Sequence, residues 1–259
     1  MTAFPTLVLI HGATGNGRMW QAVVRHLDPR WNVLTPDLPG HGARRDEPFT
    51  LDAAVATVAE VVRRVAPAPV VVGGDSLGGY VSLASAEALP HEQLRGLVLS
   101  GSSANFSGSA LRALQRRWVA TRVMRAVLGD GRIVGMVAKD LRKAGLEARD
   151  VDAIVEGGVT PGVFGQCVEA LRDIDFRARA ARLELPVLVL NGSKDQIFID
   201  QEDAFVAALA RPTRQRFEGC EHGVSLRQPQ AFAAAVDRFA REVLGVAGEA
   251  PAAGRSPAA

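Results

Sequence analysis

The stretch Pro69–Gly79, PVVVGGDSLGG, decides the fold. Its first half, Pro69–Gly73, is a run of valines with no polar alternation, as in a strand buried on both faces. Gly74-Asp75-Ser76-Leu77-Gly78 then turns the chain, and a helical pattern runs from Leu77 to Leu89. A G-x-S-x-G set between strand and helix lifts the serine hydroxyl above the edge of a sheet. The glycines answer a steric need, because a Cβ at either position would meet the neighbouring strand or helix. The new helix also turns its free N–H groups and the positive end of its dipole toward Ser76. A plain Gly/Ser loop has the same composition, but here strand, turn and helix all fit around the serine.

Working outward, further apolar runs read as strands: Thr6–Ile10, Trp31–Thr35, Leu97–Ser100, Pro186–Leu190 and Arg214–Phe217. Helical patterns separate them near Met19–Leu27, Leu51–Val65, Gln201–Ala210 and Gln228–Leu244. Alternation of this kind predicts an α/β fold with a doubly wound, mostly parallel sheet and right-handed crossovers. The rhythm breaks after the fourth predicted strand. From Ser102 to Leu183 only helical stretches occur, near Ala110–Leu128, Arg132–Lys143, Asp150–Val155 and Val163–Asp173. Residues 1–101 and 184–247 are therefore expected to form the core. Residues 102–183 are expected to form a helical cap over the carboxyl ends of the strands, the edge where open α/β sheets bind ligands. Residues 248–259, rich in Ala, Pro and Gly, are expected to be a disordered tail.

A serine hydroxyl is a weak nucleophile and needs a base oriented by a third group. Of the five histidines, His26 falls in a helical pattern and His91 in a polar loop, whereas His11 and His41 sit in glycine turns. His222 follows the last strand, where the chain returns to the carboxyl edge. Asp195 directly follows the strand before it and is the candidate acid. Asp200 is its rival, although a helix cap suits it better. Ser76, Asp195, His222 is also the chain order stated for triads on this kind of sheet. A tetrahedral oxyanion needs backbone donors, and the N–H groups of Leu77, after the nucleophile, and of Ala13, in the turn LIHGATGNG, are the candidates.

These segments resemble the α/β-hydrolase superfamily, in its branch of small bacterial esterases and lactonases. The resemblance rests on LVLIHGATGNGRMW, LTPDLPGHG, GGDSLGG, LPVLVLNGSKD and EHGVSL, which span nearly the whole chain in order. It implies a serine hydrolase that cleaves a carboxylic ester or related acyl bond, with Ala13 donating the second oxyanion N–H and His41 serving structure. Ser76 at the turn sets the chain apart from relatives with Asp or Cys there. A lyase, a cofactor-free haloperoxidase and a ligand-binding receptor remain alternatives. Two departures stand out: Glu221 precedes the candidate histidine where the family often has glycine, and the family's leading antiparallel strands have no counterpart before Thr6.

Composition bounds the rest. The net charge of +2 gives no ground for nucleic-acid binding, no apolar run is long enough to span a bilayer, and no leader-like segment opens the chain. Two cysteines, Cys167 and Cys220, are too few for a disulfide framework, although a single bridge between them is open, and a reduced, cytoplasmic protein is the simpler expectation; the triad chemistry requires no metal or organic cofactor, and no clustered ligand spacing suggests one. Its partner is a small-molecule acyl substrate. Between Ser102 and Asp150, ten Arg/Lys stand against four acids, a local excess of six. A solvated surface accounts for this; an acidic partner such as an acyl carrier protein would also exploit it.

Overall fold

The computed structural model describes residues 5–246. The expected tail at 248–259 lies outside them. Six strands form one sheet: β1 Thr6–Ile10, β2 Asn32–Leu34, β3 Val70–Asp75, β4 Leu94–Ser100, β5 Val187–Gly192 and β6 Pro212–Phe217. Their order is β2-β1-β3-β4-β5-β6, and all five pairings are parallel. The helices are α1 Gln21–Val24, α2 Leu51–Arg64, α3 Leu77–Ser85, α4 Gly108–Leu128, α5 Asp130–Lys143, α6 Ala148–Gly158, α7 Phe164–Leu171, α8 Phe176–Ala180, α9 Gln196–Ala208, α10 Val224–Arg227 and α11 Pro229–Leu244. The doubly wound parallel sheet is thus the architecture observed.

Strand periodicity divides the core. Val8, Ile10, Val70, Val72, Leu97, Leu99, Val187 and Val189 point to one side, against Ala54, Val58 and Val62 of α2 and the buried α3. Leu7, Leu9, Val71, Val98, Leu188 and Leu190 point to the other, against Trp20 and Phe232, Val236 and Phe239 of α11. Both faces are covered, which is why the strands carry unbroken aliphatic runs.

Between β4 and β5 the only regular elements among the described residues are helices, joined by loops, as the missing strand signal implied. Leu114 of α4 and Cys167, Val168 and Leu171 of α7 join the first core cluster. Leu141 of α5 and Val151 and Ile154 of α6 join the second. Polar bolts fasten α6: Arg25, just after α1, grips Asp150 through two bonds of 2.5 Å, and Asn16 Nδ2 donates to the Ile154 carbonyl at 2.8 Å.

Several elements differ from the sequence expectation. α9 begins at Gln196 rather than Gln201, so Asp200 lies exposed inside the helix instead of capping it. β4 starts at Leu94 rather than Leu97, since the exposed Arg95 breaks the apolar run of an otherwise buried strand. The short helices α8 and α10 carry too few residues for a periodic signal.

Candidate active site

Ser76 follows the last residue of β3 and precedes α3, with φ 55° and ψ −115°. A non-glycine residue held there is strained. Ser76 N–H donates to the Ser100 carbonyl of β4 at 2.7 Å, and the Ser76 carbonyl accepts from Gly79 N–H at 3.0 Å. The flanking glycines allow the turn. A Cβ on Gly74 would lie 2.3 Å from the Gly78 carbonyl carbon, and one on Gly78 would lie 2.0 Å from the Ile10 carbonyl oxygen.

Asp195 stands at the N-cap position just before α9, yet its carboxylate does not bond the helix. Instead Asp195 Oδ2 accepts from His222 Nδ1 at 2.6 Å, a charge-assisted length. That bond fixes the tautomer, leaving Nε2 as the basic nitrogen. The His222 ring stacks on Phe198 of α9, with centroids 4.9 Å apart and planes 18° apart. Gly101, at φ +55°, gives the ring room: a Cβ there would lie 2.9 Å from His222 Cε1. Burial works against a charged imidazole, but the hydrogen bond and charge of Asp195, with the charge of Asp75, hold the His222 pKa above its ordinary value; Arg117 opposes them. A third of the side chain remains accessible to solvent.

The structure therefore joins His222 to Asp195 directly and brings both to the edge where Ser76 stands, through Ser100 and Gly101. Among the described residues the Ser76 hydroxyl makes no hydrogen bond to His222. In unliganded hydrolytic sites that contact is often long and tightens only with substrate.

The candidate oxyanion donors stand beside the serine. A Cβ on Gly12 would lie 3.7 Å from Ser76 Cβ, so the Gly12–Ala13 turn borders the nucleophile. Among the described residues no protein acceptor takes the N–H of Ala13 or of Leu77. The turn is held by a Gly15 N–H to Gly12 carbonyl bond of 3.2 Å and by Thr160 N–H, which donates to the Thr14 carbonyl at 2.9 Å.

The two turn histidines lie beneath this loop. His11 is buried between the Gly12 carbonyl and the Leu38 N–H, which lies 3.0 Å from its Nε2. His41 bonds the Pro39 carbonyl, and its ring lies 4.7 Å from that of His11. Burial, then the neighbouring His11, pushes His41 down to about 3. Both imidazoles are spent on backbone, whereas His26 and His91 are exposed. Glu221 is 64% exposed, with Arg227 Nη2 at 3.4 Å.

Two residues at the site escaped the sequence reading. Phe198 gives no local signal, since its partner His222 is distant in sequence. Asp75 was visible only as the variable position of G-x-S-x-G. It is buried, and it accepts from Ser100 Oγ at 2.6 Å. A separate groove of about 750 Å³, lined by Phe49, Leu51, Trp118, Gln166 and Ile174 among others, opens between the start of α2 and helices α4, α7 and α8. Neither Ser76, Asp195 nor His222 lines it.

A sharp strand-to-helix turn bearing a strained serine, with an Asp–His pair at the same sheet edge, defines an α/β-hydrolase architecture. The sequence profile of the Alpha/beta hydrolase family matches residues 7–235, and the chain belongs to that family. It is 30% identical over 252 residues to a pimeloyl-[acyl-carrier protein] methyl ester esterase of Aromatoleum aromaticum, covering 92% of this chain and 98% of that protein. A protein of the same description from Neisseria meningitidis serogroup B is 27% identical over 254 residues, covering 90% and 91%. Among solved structures, a thermophilic esterase from Thermogutta terrifontis superposes with a TM-score of 0.74 at 23% identity, covering 93% of this chain and 91% of that one.

Proposed function

We propose that this chain is an ester hydrolase in which Ser76 is the nucleophile, His222 the general base and Asp195 the residue that orients it. The observation that carries the reading is the 2.6 Å Asp195–His222 bond beside the strained Ser76 turn. His222 Nε2 takes the Ser76 proton as Oγ adds to the ester carbonyl. The Ala13 and Leu77 N–H groups receive the oxyanion, each worth on the order of 3–4 kcal/mol of transition-state stabilisation. The same proton then passes to the leaving alcohol as the carbon–oxygen bond breaks, and water releases the acyl group by the reverse roles.

Residues 102–183 are assigned as a cap that shapes the acyl pocket. The stripe Arg112, Arg116, Val119, Val123 and Val127 supports a docking role for its outer face. These residues recur at helical spacing along α4, the valines are 56–73% exposed, and no carboxylate pairs with either arginine among the described residues. Apolar contacts rimmed by cations suit an acidic protein carrying an acyl ester, and the relatives above are named for an acyl-carrier-protein ester. With Cys167 and Cys220 both buried and unpaired, and no described helix long and apolar enough to cross a membrane, a cytoplasmic setting fits.

Turnover of short p-nitrophenyl esters and stoichiometric labelling by a fluorophosphonate test the core of this reading. Ser76→Ala is expected to abolish labelling and to lower kcat by about 10⁴-fold or more. Persistent labelling of Ser76→Ala would place the nucleophile elsewhere.

A further inference from the structure

Asp75 is a buried carboxyl that the reaction as written does not use. It ends β3 opposite Ser100 of β4, and Ser100 serves both residues of the turn: its hydroxyl donates to Asp75 Oδ1 and its carbonyl accepts from Ser76 N–H. Asp75 Oδ2 faces the loop that bears the histidine, and a Cβ on Gly223, the residue after His222, would lie 3.9 Å away. The Ser225 hydroxyl has no partner in ordinary hydrogen-bond geometry, yet lies close enough to favour the ionised carboxyl. No lysine or arginine neutralises Asp75 among the described residues; the charged groups that face it are His222 and Asp195. An ionised carboxylate buried without a cation is costly. A histidine that becomes cationic during each turnover supplies the missing charge.

We propose that Asp75 is a positioning residue for this hydrolase, a second carboxylate that acts with Asp195 to favour the cationic form of His222 while Ser100 holds it in place. Asp195 orients the ring through Nδ1, and Asp75 adds negative charge from the end of β3. The proton still travels from Ser76 Oγ to His222 Nε2 and on to the leaving group; Asp75 exchanges none. The inference rests on His222 being the base.

Four charged groups, His222, Asp195, Asp75 and Arg117, dominate the electrostatics. On His222, burial acts downward, Asp195 at the head of α9 and Asp75 from β3 act upward and prevail, and Arg117 from α4 acts downward. On Asp75, burial is the largest influence and, with the charge of Asp195, holds its pKa above the ordinary carboxylate value, while His222 and the hydroxyls of Ser100 and Ser225 act downward. The Asp75 charge also reaches the Cys220 thiol. Removing it lowers the His222 pKa, so the neutral, active imidazole persists to lower pH. The imidazolium formed in the transition state loses support at the same time.

The test compares pH profiles of kcat/KM and kcat for the wild type and Asp75→Asn, which keeps an acceptor for Ser100. The acid limb is expected to move to lower pH by about half a unit or more. On the alkaline plateau kcat is expected to fall about tenfold with KM within about twofold. A limb that coincides with the wild type, whatever the loss in kcat, overturns the proposal and leaves Asp75 as a brace for the turn. Should Asp75→Asn not fold, carboxyl carbon NMR on the wild type decides. The Asp75 carboxyl is expected to be ionised at the working pH and to titrate lower once Ser76 carries a phosphonyl group, which favours cationic His222. A titration unmoved by the adduct, or one that leaves Asp75 protonated at the working pH, also overturns it. His222→Ala separates the two ideas: full activity there removes the base assignment itself, whereas an inactive variant with an unmoved Asp75→Asn limb removes only the role of Asp75.

Discussion

Holding Ser76 at positive φ costs on the order of 1–3 kcal/mol, and neighbouring residues must over-determine the turn for it to persist. Ser100 does so through its carbonyl, and Gly74 and Gly78 do so by leaving no Cβ in the way. The same reasoning applies to Gly101. Its φ of +55° favours glycine, and the space a Cβ would fill belongs to the His222 ring. Gly101→Ala is therefore expected to push the imidazole off Asp195 and Phe198. Displacements of about 1 Å near reacting atoms can cost about 100-fold, so kcat on a p-nitrophenyl ester should fall by about that factor with little change in KM. Far-ultraviolet circular dichroism should remain that of the wild type. Activity within about threefold of the wild type would show that the ring does not need this space. Residues of this kind are only partly legible in sequence. Ser76 announces itself by the elements on either side, and Asp195 and His222 by strand order, because each lies next to its own strand. Asp75 and Phe198 act through partners set by strand pairing and helix rotation, which spacing along the chain does not encode.

At the level of elements, the sheet was readable because strands covered on both faces spell continuous aliphatic runs. The start of α9 was not, and the reason is chemical. Asp195 takes the backbone position of a helix cap but gives its carboxylate to His222, so the capping signal seemed to belong to Asp200. The fastening of α6 was equally hidden, since Arg25 and Asp150 lie 125 residues apart. The Asp150 side chain is 3% exposed and that of Arg25 32% exposed. Removing the cation alone strands a buried carboxylate, which typically costs about 3–5 kcal/mol, with a smaller loss expected here because Arg25 is partly solvated. Arg25→Met should therefore lower the urea unfolding free energy by about 2–3 kcal/mol, whereas Arg25→Met/Asp150→Leu should recover most of that loss. Equal losses in the single and double variants would show that α6 is held by Val151 and Ile154 packing and not by the ion pair.

On the scale of the whole molecule, charge is unevenly placed although the total is only +2. Much of the positive excess falls between Ser102 and Asp150, and part of it is consumed internally: Arg125 pairs with Asp130, Arg142 with Asp152 and Arg149 with Glu147. Arg112 and Arg116 are left on the outer face of α4, in line with the exposed valines. In the proposed docking role, such a surface would draw an acidic protein electrostatically and then hold it by apolar contact, acting mainly on encounter and weakened by salt. A small ester gains nothing from it. Arg112→Glu/Arg116→Glu should therefore lower kcat/KM for an ester borne on an acyl carrier protein by about tenfold or more at low ionic strength, with the gap narrowing as salt is added. The same variant should hydrolyse a p-nitrophenyl ester as the wild type does, because neither arginine touches Ser76, Asp195 or His222. Parallel losses on both substrates would mean that the reversal disturbs the packing of α4 itself. Unchanged rates on both would mean that α4 receives no acidic partner and that its arginines serve only to keep the valine stripe in solution.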